Sequence, residues 1–294
     1  MCGGYDGQRR FRADTTGTEG GVDPHVFRPS SDRFGATAGT IVRCRRCGHG
    51  SLDEVPPAAV VAAAYGEAAD PVSLREEEGQ SETARRALRL VEQHAGPGRM
   101  ADIGCWTGSF LAAARERGWE GVGIEPSTWA VARARERGLN VRRGSLDDHG
   151  LLPNELDLVV LTDVLEHLAD PAAAVDEVRR LLRPGGALYL TVPDAGSVAA
   201  RTLGRRWWSV LPMHLQYFTR DSLRLLLTRH GFLVRRVASH PKVFTARYYA
   251  ERLDAFLPGD APVVSRAVGR LGWHGRLIAP DLRDRVQVVA TRSP

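Results

Sequence analysis

The chain has 294 residues, 43% hydrophobic and 26% charged, which allows one large domain or one domain with a small module. No run approaches the roughly 20 apolar residues that span a bilayer, and the first residues lack the apolar stretch of a secretory signal. We therefore predict a cytoplasmic protein with no membrane partner. The net charge of +5 comes from arginines scattered along helical patterns. We interpret them as solvated surface, which disfavours a nucleic-acid partner.

Residues 1–55 are rich in Gly, Asp, Ser and Arg and show weak periodicity, which predicts a small loop-rich module. Within it, Cys44 and Cys47 form a C-x-x-C knuckle, the spacing at which two thiolates reach one tetrahedral zinc ion. A structural site needs four ligands, and the other candidates nearby are Cys2, His25 and His49. We expect either a zinc site that uses Cys44, Cys47 and Cys2, or a knuckle that has decayed or lost its start. A redox role is disfavoured, because no βαβ pattern surrounds the knuckle.

Residues 56–80 are predicted to be a linker with one short helix. SETARRALRLVEQHAG then predicts a helix from Ser81, because its apolar residues recur at helical spacing and a glycine ends the run. From residue 99, strands and helices alternate. The predicted strands are RMADIG, EGVGIEP, NVRRGS, LDLVVLTDV and ALYLTVPD. The helices between them are SFLAAARERG, STWAVARARERG and DPAAAVDEVRRLLRPGG, the last with Asp170 as N-cap, Pro171 in its first turn and Pro-Gly-Gly as its end.

This alternation predicts an α/β fold with a parallel sheet covered by helices on both faces. In such sheets a ligand lies at the carboxyl ends of the strands. Gly104 and Gly108 follow the first of these strands and permit a tight turn. Glu125 ends the second strand, where a carboxylate accepts both ribose hydroxyls of a nucleoside. Ser145, Leu146 and Asp147 follow the third and suit an adenine ring with its amino group. Together these positions predict an adenosine-shaped site.

The first turn fails the dinucleotide fingerprint G-x-G-x-x-G, because Trp106 and Ser109 stand where glycines are needed. Instead DIGCWTGSF resembles motif I of the class I S-adenosylmethionine-dependent methyltransferases, D-x-G-x-G-x-G. GIEPS, GSLDD, LDLVVLTDVLEHLADP and LLRPGGALYLTVP resemble the motifs that follow in that family, and the resemblance as a whole runs from about Ser81 to Phe232. Trp106 departs from the family's middle glycine, and its indole is expected to flank the cofactor or point into the substrate pocket.

The resemblance implies a doubly wound, mostly parallel seven-stranded sheet over residues 81–294, with DRVQVVATR as its antiparallel strand. It implies S-adenosyl-L-methionine as cofactor. The cofactor-binding residues that follow are Asp102, Gly104, Cys105, Trp106, Gly108, Glu125, Pro126, Ser145, Leu146, Asp147, Thr162, Asp163 and Val164. Cys105 is most simply a small packing residue in the same turn.

The acceptor is expected to be a small molecule. An N/D-P-P-Y/F motif, typical of amino-group methylation, is absent after the fourth strand, and LTDVLEH resembles the quinone, sugar and natural-product branch. Two inserts, at about 197–219 and 244–275, are predicted to recognise the acceptor. The first holds the predicted substrate residues Trp207, Trp208, Met213, Tyr217 and Phe218. The second is predicted as two helices that form a lid or a homodimer contact.

A hydroxyl or carbon-acid acceptor needs a group that takes its proton, and His214 and His167 are the catalytic candidates. His167 could instead brace its loop. O-methylation of a natural product, sugar or quinone-like metabolite is the favoured hypothesis. The alternatives are methylation of RNA held by the arginines of RCRRCGHG, and a cofactor-binding protein without catalysis.

Overall fold

The computed structural model describes residues 9–11, 34–37, 39–257 and 261–294 of the chain. Cys2 and His25 lie outside these residues, as does most of the predicted N-terminal module. Among the described residues, no helix combines the length and apolarity needed to cross a bilayer.

Thirteen strands and nine α-helices form in the described part of the chain. The strands are β1 (Arg9–Phe11), β2 (Ile41–Arg43), β3 (Gly50–Leu52), β4 (Arg99–Ile103), β5 (Glu120–Glu125), β6 (Val141–Arg143), β7 (Leu156–Thr162), β8 (Leu182–Pro193), β9 (Gln216–Tyr217), β10 (Phe232–Ser239), β11 (Phe244–Thr245), β12 (Leu277–Ile278) and β13 (Arg285–Arg292). The helices are α1 (Ala58–Glu67), α2 (Glu77–Val91), α3 (Ser109–Arg115), α4 (Thr128–Glu136), α5 (Pro171–Leu181), α6 (Val198–Leu203), α7 (Arg220–Arg229), α8 (Ala246–Phe256) and α9 (Val263–Arg270).

The central sheet has seven strands in the order β10-β13-β8-β7-β4-β5-β6, which confirms the predicted fold class. The strands from β4 to β8 pair in parallel, and β13 lies antiparallel between β8 and β10. The apolar run of β7 shows why both faces are covered: Val159 and Leu161 pack into one hydrophobic cluster, whereas Leu158 and Val160 pack into another. A strand buried on both faces needs such a continuous apolar sequence.

A second sheet, in the order β1-β2-β3-β9, joins the N-terminal strands to the predicted first insert. In it Ser51 pairs with Gln216 and Gly50 with Tyr217. Ile41 and Leu52 also share a hydrophobic cluster with Trp207 and Tyr217. The strands β2 and β3 therefore pack against the segment between β8 and α7.

Residues 56–80, predicted as a linker, are folded and packed. They form α1, a 3₁₀-helix over Pro71–Glu76 and the start of α2, which begins at Glu77 and not at Ser81. The Asp70 side chain caps the 3₁₀-helix by accepting bonds from two backbone N–H groups. Ala64 and Ala68 are buried in a cluster with Met213, and Val61 and Tyr65 line the cavity, so this stretch is a wall of the domain.

Asp170 caps α5 and Pro171 stands in its first turn, as predicted. The predicted Pro-Gly-Gly stop is wrong, because β8 already begins at Leu182 and includes those residues. The insert between β10 and β13 contains the two predicted helices, α8 and α9, and they lie between β11 and β12, which pair antiparallel.

Candidate functional site

A cavity of about 1280 Å³ opens at the carboxyl ends of β4, β5, β6 and β7. It is larger than the roughly 300–1,000 Å³ of a typical small-ligand pocket, so it has room for two molecules side by side. Every predicted cofactor residue lines it except Gly108. Gly108 instead caps the start of α3 with a φ of 80°, and a Cβ there would come within 2.4 Å of Leu139. Its role is to shape the turn.

The turn after β4 holds Trp106 in the left-handed region, with a φ of 49° that side chains rarely adopt. Its backbone N–H donates to Glu125 Oε2 at 2.9 Å, and its indole N–H donates to Ser73 Oγ at 3.0 Å. The indole also packs on Trp129, with ring centroids 5.5 Å apart. These contacts fix the side chain as a wall of the cavity, so the tryptophan does not close the turn.

Two buried carboxylates beside this turn fit a polar ligand. Asp102 is 1% exposed, and neither of its oxygens has a hydrogen-bond partner among the described residues. Burial, and then the charge of Glu125, raise the pKa of Asp102 well above its usual range. Buried acceptors of this kind are normally satisfied, so Asp102 fits a hydrogen-bond donor or cation on a bound molecule.

Glu125 is held by the backbone on both sides of its carboxylate. Its second contact is the Ser127 N–H, which donates to Oε1 at 2.8 Å. Burial raises the pKa of Glu125 to about 7. Each oxygen keeps a second lone pair, as bidentate recognition of two hydroxyls requires.

The two candidate catalytic histidines lie together. His167 Nδ1 bonds to the Met213 carbonyl at 3.0 Å, and His214 Nδ1 bonds to the Ser209 carbonyl at 2.8 Å. A carbonyl only accepts, so each Nδ1 carries the proton and each Nε2 of the neutral ring is an acceptor. Burial lowers the pKa of His167 to about 4; burial, and then His167, lower that of His214 well below its usual range. Both rings are therefore neutral at pH 7.

Glu166 completes this cluster, and the sequence analysis did not identify it. It is 1% exposed, and its two carboxylate oxygens have no hydrogen-bond partner in the described part of the chain. One donor or acceptor atom from each of Glu166, His167 and His214 lies within 4.8 Å of the others. Burial, and then the charge of Asp163, raise the pKa of Glu166. Such a donor set can move a proton, and it is also one that divalent metals accept.

Asp163 lines the cavity directly after the end of β7. It sits at a φ of 57° and forms ion pairs with Lys242 and Arg285, while Thr191 Oγ1 donates to it at 3.0 Å. Despite its burial, these two cations hold the pKa of Asp163 below its usual range. Asp163 is therefore an ionised anchor for β13, through Arg285, and for the segment between β10 and β11, through Lys242.

The predicted substrate residues divide into two sets. Trp208 and Met213 line the cavity. Trp207 and Tyr217 do not, because they pack in the cluster that holds the N-terminal strands. Phe218 is buried in the main core and stacks near His49. The prediction that these three residues line the acceptor pocket is wrong, and their burial is structural.

The knuckle residues Cys44 and Cys47 flank a turn between β2 and β3, where the Gly48 N–H donates to the Cys44 carbonyl at 2.9 Å. His49 is turned elsewhere: its Nε2 donates to Gln216 Oε1 at 3.0 Å. Among the described residues, neither cysteine belongs to a group of three metal-ligating side chains. Cys2, the third predicted ligand, lies outside the described residues.

Other residues of the site were missed by the sequence analysis for an identifiable reason. Tyr65, Ser73 and Arg75 line the cavity from the segment predicted as a linker. Lys242 and Arg285 reach it from β10's end and from β13, which are distant in the chain. Of these missed residues, only Glu166 could have been identified from the sequence, because it directly precedes His167 in the motif LTDVLEH.

Comparison with known proteins agrees with this geometry. A family model described as a methyltransferase domain matches residues 75–237. A Mycolicibacterium smegmatis protein named "Probable S-adenosylmethionine-dependent methyltransferase" is 32% identical over 65% of this chain and 72% of its own length. The ubiquinone biosynthesis O-methyltransferase of Methylococcus capsulatus is 32% identical over 35% of this chain, which spans 48% of that relative's length.

Solved structures show the same fold. A structure titled "Complex between the Haloferax volcanii Trm112 methyltransferase activator and the putative methyltransferase" matches with a TM-score of 0.52 and 19% identity. The match covers 74% of this chain and 94% of that one. At this identity the likeness concerns the fold alone.

Proposed function

We propose, for a chain that belongs to the S-adenosylmethionine-dependent methyltransferases, that the acceptor is a hydroxyl oxygen of a small-molecule metabolite. The observation that carries this proposal is the pair of neutral imidazoles beside the motif residues. Each has its Nδ1 proton committed to a backbone carbonyl, which leaves Nε2 of the neutral ring as an acceptor. The His167 ring also interacts with the Asp163 backbone, so His214 is the less constrained of the two. A hydroxyl acceptor has a proton to lose, and these groups are placed to take it.

The residues of the first half of the cavity fit the cofactor. Glu125 would hold the ribose hydroxyls, Ser145 to Asp147 the adenine, and the orphaned Asp102 the amino-acid end. When bound, S-adenosylmethionine supplies an electrophilic methyl group, whose transfer to a hydroxyl oxygen sets that hydroxyl's proton free. Trp106 and Asp163 then limit the direction from which an acceptor can approach the methyl group. Aligning the acceptor with that methyl group is the chain's main contribution to the reaction.

His214 or His167 receives the hydroxyl proton at Nε2. The resulting imidazolium lies beside the Glu166 carboxyl, since one oxygen of Glu166 and one ring nitrogen of each histidine lie within 4.8 Å of one another. The name of the ubiquinone relative, an O-methyltransferase, supports oxygen as the accepting atom.

The experiment is a comparison of His214→Gln and His167→Gln with the wild type. His214→Gln should lower turnover roughly 10²–10⁴-fold while the affinity for S-adenosylhomocysteine stays near that of the wild type. His149, which bonds Glu177 away from the cavity, supplies the control His149→Gln. Near-normal turnover of both cavity variants would contradict the proposal. Loss of wild-type turnover on adding a chelator would replace the proton-acceptor role with a metal site.

Zinc binding at the knuckle stays a proposal that needs Cys2 and one further ligand. The described residues by themselves supply two thiolates, which is half of a structural site. No step of methyl transfer depends on this metal.

A further inference from the structure

The acceptor half of the cavity is built largely by segments outside the alternating strands and helices. Phe34 comes from the N-terminal region, Trp208 from the first insert, and α8 from the second. The α8 residues on the cavity are Arg247, Tyr248, Tyr249, Glu251, Arg252, Leu253 and Phe256. The helix therefore presents a broad face to the cavity, in which aromatic rings alternate with charged side chains.

Three rings from the three segments meet, and we call them the aromatic clamp: Phe34, Trp208 and Phe256. The Phe34 and Trp208 rings each meet Phe256 edge to face, with centroids 6.3 Å and 5.9 Å away. The Trp208 indole is fixed, because its N–H donates to Asp284 at 2.6 Å. Arg252 stacks over Phe34 with its guanidinium carbon 5.4 Å from the ring centroid. The clamp therefore presents fixed ring faces and edges to the cavity.

A wall of fixed aromatic rings favours an aromatic acceptor over a sugar. At the clamp itself a sugar would place hydroxyls against rings whose one N–H, that of Trp208, is already donated to Asp284, and each hydroxyl left unpaired there would cost about 1–3 kcal/mol. A flat aromatic molecule instead gains stacking worth about 0.5–1.5 kcal/mol per ring pair beyond its buried area. The volume of about 1280 Å³ leaves space for such a molecule beside a nucleoside cofactor.

The end of the cavity that holds His167 and His214 also favours an aromatic acceptor. The two imidazoles are weak bases, since burial lowers the pKa of His167 to about 4. A phenol, with a pKa of about 10, loses its proton far more readily than an aliphatic hydroxyl, whose pKa is close to the roughly 16 of water. An acidic, ring-bound hydroxyl is therefore the acceptor that these groups suit.

We infer that the aromatic clamp of Phe34, Trp208 and Phe256 binds a flat, multi-ring aromatic acceptor that presents a phenolic hydroxyl to His167 and His214. This inference rests on the proposed function and narrows its substrate class. It also makes the N-terminal region, through Phe34, a part of the acceptor site.

The test is calorimetry on the full chain saturated with S-adenosylhomocysteine. The probes are alizarin, a three-ring catechol; catechol itself, which has the same hydroxyls on one ring; UDP-glucose; and decanol. Alizarin should bind about tenfold or more tightly than catechol, because only alizarin spans the clamp. UDP-glucose and decanol should show no saturable binding.

The variants Phe256→Leu and Phe34→Leu remove a ring but keep an apolar side chain. Each should weaken alizarin binding roughly five- to twentyfold. Trp273, which is 49% exposed and does not line the cavity, supplies the control Trp273→Leu with unchanged affinity. Unchanged affinity for S-adenosylhomocysteine shows that each variant is folded.

The inference is overturned if alizarin does not bind, if UDP-glucose or decanol binds more tightly, or if both clamp variants keep wild-type affinity for alizarin. The proposed function would be contradicted by a different result, namely the kind of molecule that receives the methyl group. Methylation of a sugar hydroxyl would reject the clamp but keep a small-molecule acceptor, whereas methylation of RNA would reject both.

Discussion

Replacing Glu125 with glutamine tests the cofactor half of the site with a minimal change in shape. The substitution removes the negative charge and turns one acceptor oxygen into an N–H₂ donor. In the wild type both oxygens accept backbone N–H groups, from Trp106 at 2.9 Å and from Ser127 at 2.8 Å. The variant therefore faces one of these N–H groups with another donor.

This substitution should change both the free energy of unfolding and the affinity for the cofactor. A buried N–H left without an acceptor costs about 1–3 kcal/mol, which we expect as a lower free energy of unfolding. Hydrogen bonds from ribose hydroxyls to a carboxylate contribute about 1.5–3 kcal/mol each, against about 0.5–1.5 kcal/mol to a neutral group. The affinity for S-adenosylhomocysteine should thus fall by about 1–3 kcal/mol, or roughly five- to 150-fold.

The pH dependence gives a second, independent signature. Burial raises the pKa of Glu125 to about 7, so its protonated form is favoured below that pH. Ribose hydroxyls donate to the ionised form, so cofactor binding should release a proton and weaken as the pH falls below 7. The limit is about tenfold per pH unit for one proton. Above pH 7 the affinity should level off, and Glu125→Gln should reduce the slope.

Calorimetry between pH 5.5 and 8.5 measures both effects, and urea unfolding measures the stability. Glu120 is exposed at the other end of β5, so Glu120→Gln is the matched control. It should change neither the affinity for S-adenosylhomocysteine and its pH dependence nor the free energy of unfolding. Wild-type affinity in Glu125→Gln, or an equally steep pH dependence, would refute the assignment of Glu125 to the ribose.

Three further predictions concern other parts of the chain. Gly104→Ala should weaken cofactor binding and lower stability, since φ is +70° there and a Cβ would come within 2.6 Å of Val164; Gly118→Ala, also at positive φ but away from the cavity, should lower stability without changing affinity. His167→Gln should disturb cofactor or acceptor binding together with the rate, because it loses the bond to the Met213 carbonyl; a pure rate effect would contradict this. Purified protein should contain close to one zinc per chain, lost in Cys44→Ser; metal-free protein with unchanged stability would show that the knuckle binds none.

The placement of the predicted cofactor residues followed from the sequence because they end strands or directly follow them. Once β4, β5 and β6 are recognised as consecutive parallel strands, Gly104, Glu125 and Asp147 must share one edge of the sheet. The Trp106 indole was harder, since its partner Ser73 lies in a segment whose packing no local pattern indicates.

The errors at Trp207, Tyr217 and Phe218 have one physical cause. Aromatic residues suit a pocket and a core equally well, and only the pairing of β3 with β9 decides between them. That pairing joins residues more than 160 positions apart, which neither composition nor periodicity reveals. Other long-range contacts, equally hidden in the sequence, bring Lys242 and Arg285 to Asp163.

The most direct test of the account follows the methyl group itself. The full chain is incubated with S-adenosylmethionine bearing a deuterated methyl, in one reaction with a small-molecule metabolite extract and in another with total RNA. Mass spectrometry then locates the label. We predict labelled methyl ethers in the metabolite reaction, strongly reduced with His214→Gln and unchanged with His149→Gln. Label in RNA nucleosides, or in no product while S-adenosylhomocysteine still binds, would contradict a small-molecule hydroxyl as the acceptor.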